Sequence, residues 1–280
     1  MNNGVLILAH NSEYVDYGRL SLISGSLAKR YLNVSVSLAA DRHTLDWMNS
    51  NKDLQIAERV FDHIIEIPHK NENNFRILHD GESHKKIPFL NADRFTAYDI
   101  TPYEKTLLID SDFLIFSNQL NEYWSMNAPV MVSSGIIDIK GDRLRILDKK
   151  VSDTGIDMLW ATTVMFDKSQ ESKCFFNTVN LIKENYRHYS DLYRFDHKSY
   201  RNDIAFSLAL HMLNGFSLDS VPMLPKIVTF FDTDEIVSII GNKITFLLDQ
   251  EFLASISDQD FHAMNKQSIL RNSEKFLSLI

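Results

Sequence analysis

Three Asp-x-Asp pairs are the first residues whose type and spacing could do chemistry: Asp110/Asp112, Asp232/Asp234 and Asp258/Asp260. Carboxylates at i and i+2 after a strand can converge on one hard divalent cation, which prefers oxygen ligands. With 25 Asp in 280 residues, chance alone supplies about two such pairs, so context must separate them. Asp110-Ser111-Asp112 follows the apolar run Thr106–Ile109 and precedes Phe113-Leu114-Ile115-Phe116. An unpaired carboxylate there would be costly. This pair is the candidate for a hard divalent cation. The other two pairs sit in polar turns and read as solvated.

Ten His offer further ligands, but no pair has the His-Glu-x-x-His spacing or a Cys/His zinc pattern. His262, within Phe261-His262-Ala263-Met264-Asn265-Lys266, reads either as a metal ligand or as a surface or capping His. Asn202 and Asp203 open an apolar-striped segment and also read two ways. They are an N-cap with an acidic first turn, or polar groups aimed at a ligand. The chain has no Gly-x-x-x-x-Gly-Lys loop, no Gly-x-Gly-x-x-Gly turn and no Gly-x-Ser-x-Gly elbow.

The elements that must position these residues alternate. Val5–Ala9 is a short apolar run expected as a doubly buried strand. Tyr14 to Tyr31 predicts a helix, Val34–Leu38 a strand ending toward Asp41, Thr44 to Asn51 a short helix, and Ile64–Ile67 a third strand. Residues 69–88 are polar, carry His69, His79, His84, Lys70, Lys85 and Lys86, and predict a long mobile loop. Phe89 to Tyr98 predicts a helix, Lys105–Ile109 a fourth strand and Val130–Val132 another. Residues 138–157 are again polar. Leu159–Phe166 reads as a strand, Ser169 to His188 and Asn202 to Leu213 as helices, Ile227–Phe230 and Ile244–Leu248 as strands, and the tail from Gln267 as a closing helix. Strand–helix alternation over the first 110 or so residues implies a mostly parallel sheet flanked by helices. In such a sheet, ligands bind at the carboxyl ends of the strands.

Composition bounds the rest. The chain is 44% apolar and 24% charged, with 9 Gly and 6 Pro, which excludes disordered and collagen-like classes. A net charge of −8 argues against a surface that grips nucleic acid throughout. Lys85-Lys86 and Lys149-Lys150 read as solvated faces. Cys174 stands alone, so no intrachain disulfide is possible. No apolar stretch approaches the roughly 18 residues of a membrane span. The segment Met1–His10 lacks a basic region and a long apolar run, so a cytoplasmic location is expected.

The segment Thr106 to Ile115 resembles the metal-binding strand of GT-A-fold glycosyltransferases, where a hydrophobic strand ends in an Asp-x-Asp that holds Mn²⁺ or Mg²⁺ against the diphosphate of a nucleotide-sugar. The resemblance implies a Rossmann-like mixed sheet over one domain, residues 1–280. Residues 1–116 would take a nucleotide-sugar, and 117–280 would form the acceptor side with a C-terminal metal and phosphate segment. It also implies that Asp112 ligates the cation directly and that Asp110 is shared between metal and ribose, with Ser111 beside them. Phe261 to Lys266 resembles the late His-x-x-Gly-x-x-Lys segment of glycosyltransferase family 8. There the His completes the metal shell and the Lys touches the diphosphate, roles that fall to His262 and Lys266. The family's Gly is missing, and Lys266 comes two residues early.

By the same resemblance, Ala9-His10-Asn11 and Asp41 occupy nucleotide-contacting positions. Arg94 corresponds to the basic residue that braces the motif, although it also reads as an ordinary surface Arg on an amphipathic helix. Asp157 to Phe166 resembles a strand lining the acceptor side. Asn202 and Asp203 resemble the helix start that faces the donor sugar and would be catalytic. The implied reaction is metal-dependent transfer from a nucleotide-diphosphate sugar, UDP-linked foremost, with retention of configuration. The acceptor is open among a glycan, a protein, a lipid head group and a modified nucleobase. Residues 69–88 and 138–157 are the acceptor-loop candidates, the first as a lid. The alternatives are a sugar-phosphate nucleotidyltransferase, whose N-terminal Gly-rich loop is missing at Ile7–Ser12, and a non-catalytic nucleotide- or glycan-binding relative.

Overall fold

The computed structural model describes residues 2–68, 74–79, 84–141, 143–196 and 198–279. The chain opens with β1 (Asn3–Ala9), whose Val5–Ala9 side chains are all buried. Asp16 caps α1 (Tyr17–Leu32) by accepting from the Arg19 N–H, and Lys29 and Arg30 stand in the last turn, where the helix dipole favours cations. Gly25 lets α1 lie flush on Phe61, because a Cβ there would stand 2.5 Å from that ring. β2 (Ser35–Asp41) ends in a second carboxylate cap, Asp41, which starts α2 (Arg42–Ser50). α3 (Asp53–Val60), where the sequence predicts no element, leads to β3 (His63–Ile67).

The expectation of a loop over 69–88 is corrected in part. β4 (Phe75–His79) and β5 (His84–Pro88) pair as an antiparallel hairpin with Phe75 opposite Pro88. Lys86 is exposed, as its reading as a solvated cation expects, and places its ammonium 3.6 Å from the Phe75 ring centroid. His69, Lys70 and the rest of the proposed lid at 71–73 and 80–83 lie outside the described residues. The helix expected over Phe89–Tyr98 is displaced. Phe89–Asp93 is irregular, Arg94–Thr96 is one 3₁₀ turn, and α4 (Ala97–Ile100) follows.

β6 (Lys105–Ile109) is fully buried, and β7 (Phe113–Leu114) leaves it through a tight turn closed by the Phe113 N–H on the Asp110 carbonyl. β8 (Val130–Ser133), β9 (Ile136–Asp138) and β10 (Trp160–Asp167) follow. The single helix expected over Ser169–His188 breaks at Asn185 into α5 (Gln170–Glu184) and α6 (Tyr186–Tyr193), and α7 (Asn202–Leu213) matches its expected bounds. β11 (Ile227–Phe230) precedes a meander of β12 (Glu235–Ile240), β13 (Lys243–Leu248) and β14 (Phe252–Ser257). β15 (Phe261–Ala263), α8 (Lys266–Arg271) and α9 (Ser273–Leu277) end the chain.

Six strands form the main sheet in the order β3-β2-β1-β6-β10-β8. β1, β2, β3 and β6 run parallel, and β10 is antiparallel to both its neighbours. This is the mostly parallel α/β sheet expected from the strand–helix alternation. A second sheet, β7-β15-β11-β9, packs a smaller core of Leu20, Ile23, Leu27, Phe116, Phe261 and Phe276 against the other face of α1. The Asp110-Ser111-Asp112 turn is the crossing point from one sheet to the other.

Two Asp-x-Asp pairs read as solvated are only partly so. Asp234 is 2% exposed and pairs with Arg143 at 2.7 Å, and Asp260 is 7% exposed and accepts the Phe116 and Ser117 N–H groups at 2.8 Å each. Each is a buried structural acceptor in a turn that looks polar in sequence.

Candidate functional site

Pairing of β15 with β7 builds the site. His262 stands opposite Phe113 in that ladder, and the Ala263 N–H donates to the Asp112 carbonyl at 3.1 Å. A residue 150 positions away is thus fixed beside the Asp-x-Asp turn. Ligand atoms of Asp110, Asp112 and His262 all lie within 4.8 Å of one another. His262 Nε2 is 3.4 Å from Asp112 Oδ1, while its buried Nδ1 has no partner among the described residues. Two carboxylates and one imidazole suit a divalent cation of the Mn²⁺ or Mg²⁺ type. The residues present fit such an ion.

Cations of the chain brace both carboxylates. Arg94, 1% exposed, donates from Nη1 to Asp110 Oδ1 at 2.7 Å and from Nη2 to the Thr162 carbonyl at 3.3 Å. The reading of Arg94 as a surface residue is therefore corrected. Burial raises the Asp110 pKa above the ordinary carboxylate range, against the opposing pull of Arg94. Burial would raise Asp112 too, but Lys266 and His262 together hold it well below that range. Lys266 Nζ is 2.5 Å from Asp112 Oδ2. The expected phosphate contact thus stands, in this state, as an ion pair to the motif itself.

A cleft of about 1290 Å³ opens over this cluster. His10, Arg94, Asp110, Ser111, Asp112, Asn202, Asp203, His262 and Lys266 all line it. Three other expected donor contacts do not. Ala9 ends β1 in the core at 1% exposure. Asn11 is spent on structure: its N–H donates to Thr44 Oγ1 and its Oδ1 accepts from Gly18, both at 2.7 Å. Asp41 is fully buried as the α2 cap, holding the Thr44 N–H at 2.9 Å and lying 3.2 Å from His10 Nδ1. These residues shape the strand ends behind His10.

The opposite wall comes from α7 and β10. α7 begins at Asn202 with Arg201 in the cap position, which corrects the N-cap reading of Asn202. Its Nδ2 donates instead to the Asn91 carbonyl at 2.8 Å. Asp203 Oδ1 accepts from the Ala161 N–H at 2.9 Å, and Oδ2 from Arg201 at 3.2 Å. Met158, Trp160, Ala161 and Thr162 complete this wall, where the sequence predicts an acceptor-side strand.

Two further features emerge here, the first within the 138–157 acceptor-loop candidate. Arg143 lines the cleft and donates to Asp138, Asp234 and Asp249, tying the end of β9 to the β11–β12 and β13–β14 turns. Asn74 clasps the backbone of Tyr200, accepting its N–H at 2.9 Å and donating to its carbonyl at 3.3 Å. No described helix is long and apolar enough to cross a membrane.

No protein-family profile and no curated protein matches the sequence. Solved structures do match. An active-site mutant of LgtC aligns with a TM-score of 0.51 and 13% identity, over 81% of this chain and 75% of that one. The apo form of glycosyltransferase GlyE from Streptococcus pneumoniae TIGR4 gives 0.44 and 12%, over 80% of this chain and 45% of its own, so this chain spans less than half its length. Apo mouse xyloside xylosyltransferase 1 gives 0.47 and 9%, over 82% and 88%. The likeness to LgtC shows that the chain has the GT-A fold expected from the Asp110 strand.

Proposed function

We propose that this chain is a divalent-cation-dependent glycosyltransferase, moving a sugar from a nucleotide-diphosphate sugar to an acceptor. One observation supports this most. Asp110, Asp112 and His262 converge at the carboxyl end of β6, on the wall of a cleft roomy enough for a nucleotide and a sugar, in a chain with the GT-A fold. When bound there, Mn²⁺ or Mg²⁺ supplies positive charge against the departing nucleotide diphosphate.

The chain's own residues do the rest. Asp110, Asp112 and His262 hold the ion, and Arg94 fixes the Asp110 carboxylate. Lys266 and Ser111 face the diphosphate, the first as a compact cationic donor. His10 meets the nucleoside, with Ala9, Asn11 and Asp41 shaping the strand ends behind it. Asp203 and Asn202 orient the transferred sugar, the Asp203 carboxylate being aimed by the Ala161 N–H and Arg201. The cleft walls limit water and hence donor hydrolysis. The reading extends to a family 8 enzyme using UDP-sugars with retention. Within one domain, residues 1–116 form the nucleotide-sugar half and 117–280 the acceptor-side half with the C-terminal metal and phosphate segment, the acceptor being a glycan, a protein, a lipid head group or a modified nucleobase.

Thermal unfolding across nucleotide-sugars, with and without Mn²⁺, tests this, because a ligand bound only by the folded chain raises its stability. A matched donor raises the midpoint only with Mn²⁺. Asp112→Ala abolishes Mn²⁺-dependent donor hydrolysis, while Asp232→Ala and Asp258→Ala retain it. Absence of any Mn²⁺-dependent shift, or full hydrolysis by Asp112→Ala, sinks the reading.

A further inference from the structure

Beside His262 Nδ1, the cleft-lining residues leave Asn91 Oδ1, Asn202 Oδ1 and Arg94 Nε buried with no hydrogen-bond partner among the described residues. Folded proteins leave few such groups, because each forfeits its bond to water and gains nothing in return. The side chains of Asn202 and Arg94 are not free to turn elsewhere. Asn202 is 9% exposed, and its Nδ2 is anchored on the Asn91 carbonyl at 2.8 Å. Flipping that amide would set oxygen against oxygen, so Oδ1 is the unmet atom. Arg94 is locked in turn by Asp110 and Thr162.

The chemistry of the missing partner follows from the inventory. Two amide oxygens can only accept, and a guanidinium N–H can only donate. A sugar hydroxyl does both, whereas a carboxylate would meet the two oxygens with repulsion.

We propose that Asn91 and Asn202 form an acceptor pair that reads hydroxyl groups of a neutral sugar on the donor, with Asn91 as a specificity-determining residue. This rests on the glycosyltransferase reading above. The backbone of Asn91 orients the Asn202 amide through its carbonyl. Its side-chain oxygen supplies the second acceptor.

Titration calorimetry with Mn²⁺ compares each nucleoside diphosphate with its neutral hexose conjugate: UDP with UDP-glucose and UDP-galactose, and GDP with GDP-mannose. In the wild type the hexose should strengthen binding for one conjugate. Asn91→Ala should lose about tenfold of that gain while binding the bare diphosphate within about twofold of wild type, as expected when one hydrogen bond to the sugar is removed. Asn91→Asp retains an acceptor oxygen and should keep most of the gain. The proposal is overturned if Asn91→Ala keeps the whole gain, if it weakens diphosphate and conjugate equally, or if the hexose adds nothing in the wild type. Those results leave the glycosyltransferase reading standing. Failure of the wild type to bind any of these probes overturns both.

Discussion

Lys266 Nζ lies 2.5 Å from Asp112 Oδ2, on the carboxylate oxygen opposite the one that faces His262. The ammonium neutralises a carboxylate that is 4% exposed and occupies one of its two oxygens. Lys266 therefore stands to compete with a divalent cation at Asp112, and under the proposed function a phosphate would draw it away. Lys266→Met should raise the Mn²⁺ affinity of the ligand-free protein by roughly tenfold, the effect of about 1.4 kcal/mol, and weaken nucleotide diphosphate binding. Electron paramagnetic resonance titration of free Mn²⁺ reads the first effect. A fall in Mn²⁺ affinity would show instead that Lys266 assembles the site.

Arg143 should be among the costliest residues to lose. Its guanidinium lies 2.6 Å from Asp138 and 2.7 Å from Asp234, two carboxylates with no exposed side-chain surface. Burial alone would raise the Asp138 pKa, but its bonds to Arg143 hold the carboxyl below the usual range. Arg143→Met would strand both charges, and breaking a buried pair from one side costs about 3–5 kcal/mol. Arg143→Lys should recover little, because an ammonium cannot reproduce the fork that reaches three carboxylates. Urea unfolding decides it; a loss below about 1 kcal/mol would mean that the cluster is solvated, as surface pairs are.

Asn74 joins the β4–β5 hairpin to the segment that leads into Asn202 and Asp203. Besides its two bonds to Tyr200, the Ser199 hydroxyl donates to the Phe75 carbonyl, and Asn202 holds the Asn91 carbonyl on the far side of the hairpin. Asn74→Ala removes two bonds that mimic a backbone pair, worth about 1–3 kcal/mol together. The local effect should exceed the global one. Hydrogen exchange at Tyr200 and Arg201 should quicken more than in the β1–β6 ladder, and equal change in both would place the clasp in the global folding unit.

His211 predicts an acid-side loss of stability. Burial lowers its pKa below the ordinary 6.5, with Lys150 adding to that against the opposing pull of Asp157. A lowered pKa means that the unfolded chain takes up the proton first. Its contribution is full above about pH 6.5 and is lost as pH falls through the folded-state value. His211→Gln cannot titrate, so its melting temperature should fall less than that of the wild type between pH 7.5 and 5.5. Parallel curves for the two proteins would remove His211 as the cause.

By itself the sequence determined the strand-and-turn frame. Val5–Ala9 and Leu107–Ile109 are apolar without interruption because both faces of their sheet are covered, so both strands were legible from residue type alone, whereas their pairing side by side was not. α7 was legible because its apolar stripe recurs with helical period. Asp110 and Asp112 could be singled out because carboxylates rarely interrupt such runs.

Tertiary structure decided which distant residues met there. His262 reaches Asp112 only through the β15–β7 ladder, and nothing local in Phe261–Lys266 encodes that pairing. Asp234 and Asp260 look like turn residues because their partners, Arg143 and the Phe116–Ser117 backbone, are 91 and 143–144 positions away. The hairpin at 75–88 was hidden for a related reason. Its lysines and histidines mask a backbone pattern that becomes visible only when Ser199 and Tyr200 supply the facing groups. Local sequence sets which backbone conformations are favourable, but whether a polar group is solvated, paired or left unmet depends on what the rest of the chain brings against it.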